Sequence, residues 1–201
     1  MIDAVWSGQL RERKTLWNKL SIARAVLGRH LPPRDQSTGI VSLHPAVMTD
    51  LQLLAVLVDR ARRVSSYEAI GLFSDALELV RGVPFDAVGY DWAHEHQHHA
   101  RACELIETAG LRLVDLALEA DDVVTARTAV SRALAALKIN EPLYRARMKI
   151  EAHAGNTAGV RSVYDELVCL MNDLDPADGG APSAQTTQLF RSLNTSAAAA
   201  S

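Results

Sequence analysis

Four histidines crowd one short stretch of the chain: His94, His96, His98 and His99. On a continuous helix, His94 and His98 stand at i, i+4 and His96 and His99 at i, i+3. Either pair would then present two imidazoles to one cation from a shared face. A tight site takes a third or fourth ligand, which Glu95 or a residue from elsewhere would have to supply. Neither a paired-Cys motif nor a His-Glu-x-x-His is present. The expectation is therefore solvated or partner-facing histidines, with no metal and no cofactor. The acids offer no more. Asp121-Asp122 reads as a turn and Glu104/Glu107 as a helix face rather than a general acid/base pair. With no nucleophile elbow, phosphate-cradling glycine loop or dinucleotide-type glycine pattern, no catalytic residue is assigned and the chain reads as no enzyme. Cys103 and Cys169 lie in apolar helical patterns and are expected as buried free thiols.

The second chemistry is charge. The net charge is only −3, but residues 11–34 hold Arg11, Arg13, Lys14, Lys19, Arg24, Arg29 and Arg34 against Glu12 alone, a local balance of +6. The remainder carries 14 basic and 23 acidic side chains, a balance of −9. A basic end on an acidic body points to nucleic acid, or simply to a solvated basic face. The stretch Thr15–Gly28 predicts a helix, with Thr15 as cap and Gly28 as stop. Leu16, Leu20, Ala23 and Leu27 form its apolar stripe. Arg11, Lys14, Asn18 and Ser21 fall opposite, with Arg24 on a flank. Cations and amides placed this way suit phosphates and base edges, so these five are the candidate DNA-binding residues.

Those side chains need a scaffold, and the composition says which kind. A 48% hydrophobic share with few aromatics and many Ala and Leu favours helices. Beyond Gly28, prolines and Gly39 bracket Ile40-Val-Ser-Leu43, which reads as a short strand; any hairpin is confined to 29–47. Helices are then expected over Leu51–Arg62, from Ser65-Ser66 to Gly82, over Trp92–Ala120, Val123–Leu137, Glu141–Ala154, Thr157–Leu174 and Ser183–Leu193. Tyr67, Ile70, Leu72, Phe73, Ala76, Leu77 and Val80 form the buried side of the second. Asp122 and Asn156 are 34 positions apart, as are Ala126 and Val160, Val130 and Tyr164, Ala133 and Leu167, and Leu137 and Met171. That offset is the tetratricopeptide period, in which each helical pair leaves an apolar face for the next to cover. No apolar run approaches the roughly 18 residues of a membrane span, and the start does not read as a signal peptide. A cytoplasmic chain with no membrane partner is expected.

Three landmarks go further: Leu79-Val-Arg-Gly-Val-Pro-Phe-Asp86, Tyr90-Asp-Trp92-Ala93 and Glu141-Pro-Leu-Tyr-Arg145. With the repeat spacing, they resemble the bacterial transcriptional activator domain of actinobacterial SARP-like regulators over about Ser66–Leu193. The N-terminal order is similar to the end of an OmpR-type winged helix. Trp6 would close the preceding helix, Ala23–Gly28 would end the recognition helix, and Val47–Asp50 would form the exit. The family's earlier strands and two helices would lie upstream of Trp6. Either the chain is the C-terminal part of a longer protein, or Leu16 and Trp17 pack on the helical body instead.

The resemblance implies an all-α, tetratricopeptide-like helical array preceded by a truncated winged-helix-like segment with a short hairpin. The expected division is 1–50 for the partial winged helix, 51–194 for the array and 195–201 for a disordered tail. The implied function is transcriptional regulation. The array contacts a protein partner or a second copy, and DNA is bound if the winged helix is completed upstream. The competing reading is a pure protein-interaction domain of a larger envelope-associated or signalling protein, without DNA binding.

Overall fold

Alanine- and leucine-rich stretches punctuated by capping residues give helices over most of the described residues. The computed structural model describes residues 13–31, 35–37, 44–86, 91–174 and 180–199, and among these the fold is all-α with no strand. The expected strand Ile40–Leu43, together with Trp6 and Arg11, lies outside the described residues. The helices are α1 Arg13–Leu27, α2 Asp50–Ala61, α3 Ser66–Glu78, α4 Asp91–Glu95, α5 His98–Glu119, α6 Val123–Ala136, α7 Glu141–His153, α8 Thr157–Leu174 and α9 Ala184–Ala199, with a 3-10 turn at Gly28–His30. Two compact units emerge. One takes in the described parts of Met1–Leu53 and Phe85–Ala100, the other Leu54–Pro84 and the described parts of Arg101–Ser201.

In the first unit, α1 stops where the sequence provides a stop. Gly28 takes a φ of 54°, a left-handed conformation that glycine adopts without the Cβ penalty. The chain then turns through His30, whose carbonyl accepts from the His44 N–H at 2.9 Å. The two imidazoles meet edge to face with centroids 5.5 Å apart. Thr49 and Gln52 bond reciprocally at the start of α2. The Thr49 hydroxyl accepts from the Gln52 N–H at 3.2 Å, and the Gln52 side chain accepts from the Thr49 N–H at 2.8 Å.

In the second unit, α3 packs on α6, α6 on α7, α7 on α8, and α9 on both α7 and α8. Its core holds Val58, Phe73, Leu77, Leu113, Leu143, Met148, Ile150 and Leu167, all essentially inaccessible. Burying each large side chain of this kind contributes about 1.5–3 kcal/mol. A cluster of Tyr144, Met148, Val160, Val163 and Leu167 is covered by Leu189, Phe190 and Leu193 of α9. Phe190 stacks on Tyr164 at 4.1 Å.

The 34-residue offset of the sequence recurs in the backbone. The N–H of Asp122 bonds the carbonyl of Ala117, and the N–H of Asn156 that of Glu151, both at 2.8 Å. Asp121 and Gly155, 34 apart like their neighbours, hold φ values of 57° and 70°. Each turn is thus a left-handed helix stop of one design. The next residue in each then caps a new helix. Asp122 accepts from the Thr125 N–H and Asn156 from the Gly159 N–H, both at 3.0 Å. Thr125 holds the Asp122 carboxyl below its ordinary range through these bonds. Ala126 and Val160 are both buried one turn later, as are Ala133 and Leu167 further on.

Several expectations need correction. The helix expected over Trp92–Ala120 is two helices, α4 and α5, because Gln97 adopts a φ of 60° between them. The third helix ends at Glu78, well before Gly82, in a tighter turn where the Leu79 and Val80 N–H groups reach Ala76 and Leu77. Tyr67 is 88% exposed, since it sits roughly a third of a turn away from the arc of Ala69, Phe73 and Leu77. Cys169 is exposed because it falls on the far side of α8 from Leu167, while Cys103 is half-buried and burial pushes its thiol up. The last helix continues past 194 to Ala199.

Candidate functional site

A concave groove of about 530 Å³ runs between α6, α7 and α8. Its positions are spaced along helical faces: Arg127, Val130, Ser131 and Leu134 on α6, Tyr144, Arg147 and Glu151 on α7, and Glu166 and Leu170 on α8. Lys138, just past α6, completes one rim. The floor is aliphatic and the walls are charged.

Two forks organise those charges. Arg127 donates to both oxygens of Glu151, through Nε at 3.0 Å and Nη2 at 2.9 Å. Asn156 Nδ2 adds a third bond to the same carboxylate. The Arg127 bonds, with that of Asn156, outweigh burial and hold the Glu151 carboxyl below its ordinary range. Arg147 donates through Nη1 to Glu166 at 2.8–2.9 Å, and the Tyr144 hydroxyl donates to the same carboxylate at 3.0 Å. Burial first, then the neighbouring Glu166, pushes the Tyr144 phenol up to about 12. The Arg127–Glu151 pair is bidentate, which fixes side-chain direction as well as contributing energy. Lys138 makes no bond or ion pair among the described residues.

The Glu141–Arg145 landmark has a structural explanation. Glu141 accepts from the Ser183 N–H at 3.0 Å and from the Ser183 and Thr186 hydroxyls. Arg145 donates to Thr186 at 2.9 Å. Thr186 itself is fully buried. Burial raises the Glu141 carboxyl, but the bonds from Ser183 and Thr186 more than offset it, so the group lies below its ordinary range. Pro142 stands in the first turn of α7, where its missing N–H costs nothing, and Asn140 caps that helix through the Leu143 N–H. Glu141 and Arg145 therefore share Thr186 while Tyr144 binds Glu166, and the run clasps α7 to α8 and α9.

Of the candidate DNA-binding residues, Asn18 and Ser21 are exposed on α1, as expected of an outer face. Arg24 is half-buried, and its Nε donates to the Leu31 carbonyl at 3.3 Å. Lys14 belongs to α1, but its side chain, like that of Leu16, lies outside the described residues. The same outer side also carries apolar groups. Ile22 is 61% and Val26 80% exposed, and Trp17 is 44% exposed.

The histidines do not share one helical face, because the break at Gln97 separates His94 and His96 from His98 and His99. His94 stacks instead on His99 with centroids 4.3 Å apart, and His96 lies tilted against His98 at 6.3 Å. Among the described residues, no group of three His, Cys, Asp or Glu is arranged to hold a metal ion. Nor is any described helix long and apolar enough to cross a membrane.

Sequence reading missed the groove although its signal was present. Arg127, Ser131, Leu134 and Lys138 recur at three- and four-residue steps, as do Tyr144, Arg147 and Glu151. Such steps place cations and aliphatics on one face, yet only the fold shows that three such faces converge. No family model, curated protein or solved structure matches the chain.

Proposed function

We propose that the chain is a transcriptional regulator module, in which a tetratricopeptide-like helical array binds a protein partner beside a DNA-binding winged helix, in the cytoplasm and without catalysis. The observation that carries the array is the doubled turn-and-cap geometry at Asp121-Asp122 and Gly155-Asn156, at an offset of 34 residues. Helical pairs stacked at that period build concave surfaces used for docking. The DNA half of the reading is supported by the landmark residues, the basic balance of 11–34 and the exposed Asn18 and Ser21.

A second reading has its own observation. Ile22 and Val26 share the outer side of α1 with Asn18, and apolar groups so exposed suit a protein contact better than a phosphate backbone. In that reading the chain is a pure interaction domain. A fluorescence anisotropy titration separates the two, using duplexes from the promoter of the chain's own gene and scrambled counterparts, at two salt concentrations. It should be run on this chain and on any longer native form. Discrimination by the longer form supports the regulator. Failure of both forms to discriminate transfers the function to protein contacts alone.

A further inference from the structure

Within the groove between α6, α7 and α8, the two acids are already engaged. Glu151 is held by Arg127 and Asn156, and Glu166 by Arg147 and Tyr144. What remains to meet a visitor is almost all donor. Arg127 keeps Nη1, Arg147 keeps Nε and Nη2, and Lys138 keeps its whole ammonium. Three cations against two acids leave the lining with a surplus of one positive charge. The two-nitrogen fork on Glu151 has also fixed the Arg127 guanidinium plane, so less of its side-chain freedom is left to lose on binding. An incoming cation would have to compete with a seated arginine, whereas an incoming carboxylate extends a network that already exists.

We propose that this groove binds an acidic peptide segment. An aliphatic side chain of the peptide lies on Leu134 and Leu170 while its carboxylates meet Lys138, Arg127 and Arg147. The inference rests on the reading of the array as a docking module and names the chemistry of its partner. The volume of about 530 Å³ falls within the range of concave ligand sites. Nucleic acid, the other anionic polymer, is the poorer match. The aromatic ring in the lining belongs to Tyr144, which is 2% exposed, so no ring face is open for a base to stack on.

The test is selection of a random dodecapeptide display library on the full chain. The enriched peptides are then titrated by anisotropy against the chain, Lys138→Glu and Arg161→Glu. Lys138 and Arg161 are both exposed and make no bond among the described residues, so neither change threatens folding, and only Lys138 lines the groove. Enriched sequences should pair an aliphatic anchor with two or more acids. Their affinity should fall with salt, drop about tenfold in Lys138→Glu, and change little in Arg161→Glu. Acidic peptides that bind Lys138→Glu as well as the native chain would place the site elsewhere and overturn the proposal. Neutral or basic peptides weakened by a groove substitution (Leu134→Glu) would overturn the charge assignment yet leave the docking module standing. No enrichment at all would remove both. An oligothymidine that displaces the peptides at comparable affinity would assign the groove to nucleic acid instead.

Discussion

Gly110 on α5 and Ala133 on α6 approach so closely that a Cβ added to Gly110 would stand 2.8 Å from the Cβ of Ala133 and 3.2 Å from Leu143 Cδ2. The contact lies between fully buried neighbours, so neither helix can move aside cheaply. Gly110→Ala should therefore destabilise by about 1–3 kcal/mol despite the better helix propensity of alanine. Gly71→Ala, on α3 with nothing within 4 Å of the added Cβ, should stabilise by about 0.5–1 kcal/mol. Ala126→Trp and Ala133→Trp should each destabilise by at least about 1–3 kcal/mol. Thermal unfolding of the four variants checks the set, and equal midpoints for the two glycine variants would discredit the close approach.

Glu141 holds the start of α9 through Ser183 and Thr186. Glu141→Ala leaves the buried Thr186 hydroxyl without its acceptor, a loss of about 1–3 kcal/mol. The damage should be local. Hydrogen exchange should show α9 amides losing protection while α5 and α6 keep theirs, and uniform loss would mean that the clasp is not a separable unit.

Acid should weaken the second unit in a defined window. The native Glu141 and Glu151 carboxyls lie below the ordinary glutamate value of 4.5, so the unfolded chain binds protons first as pH falls. Their contribution is complete above that value and is lost as pH drops through the native values. Glu141→Gln/Glu151→Gln should flatten the decline in urea midpoint below that pH. At the alkaline end the sign reverses. Tyr144, raised from 10 to about 12, contributes stability below 10 that vanishes as pH rises through 12. Tyrosinate absorbance should show a late-titrating phenol that Tyr144→Phe removes.

Chelation should leave the melting temperature unchanged, because a structural metal site would supply folding energy directly. A fall restored by zinc would assign a ligand role to the stacked His94 and His99.

On DNA, if the winged helix is completed, Lys14→Ala should reduce the salt dependence of binding by about one unit, the mark of a phosphate contact. Asn18→Ala should change sequence preference more than affinity. Arg24 also bonds Leu31, so Arg24→Ala should lower stability as well as the salt slope. An unaltered slope in both cation variants would detach α1 from the DNA.

The pattern of what could be read follows from where information resides. Caps and stops are local chemistry, so Ser65, the turn at Asp121-Asp122 and Gly28 were legible from residue type. The 34-residue offset was legible because periodicity survives without knowledge of packing. The break at Gln97 was not, since glutamine carries no preference for a left-handed φ and neighbouring contacts must impose it. Tyr67 misled because an aromatic near a buried arc looks like part of it. The groove forks join residues 19 to 24 positions apart on separate helices, which no helical face encodes.

The way α9 covers α7 and α8 also has a consequence for biosynthesis. Tyr164 and its apolar neighbours on α7 and α8 are synthesised before Leu189, Phe190 and Leu193, which cover them. At about 5–20 residues per second, the covering residues are added roughly one to several seconds later. Translation stopped anywhere between α8 and Leu193 would make the exposure permanent and leave a patch suited to aggregation. A chain cut short there would present an apolar surface that the complete α9 covers.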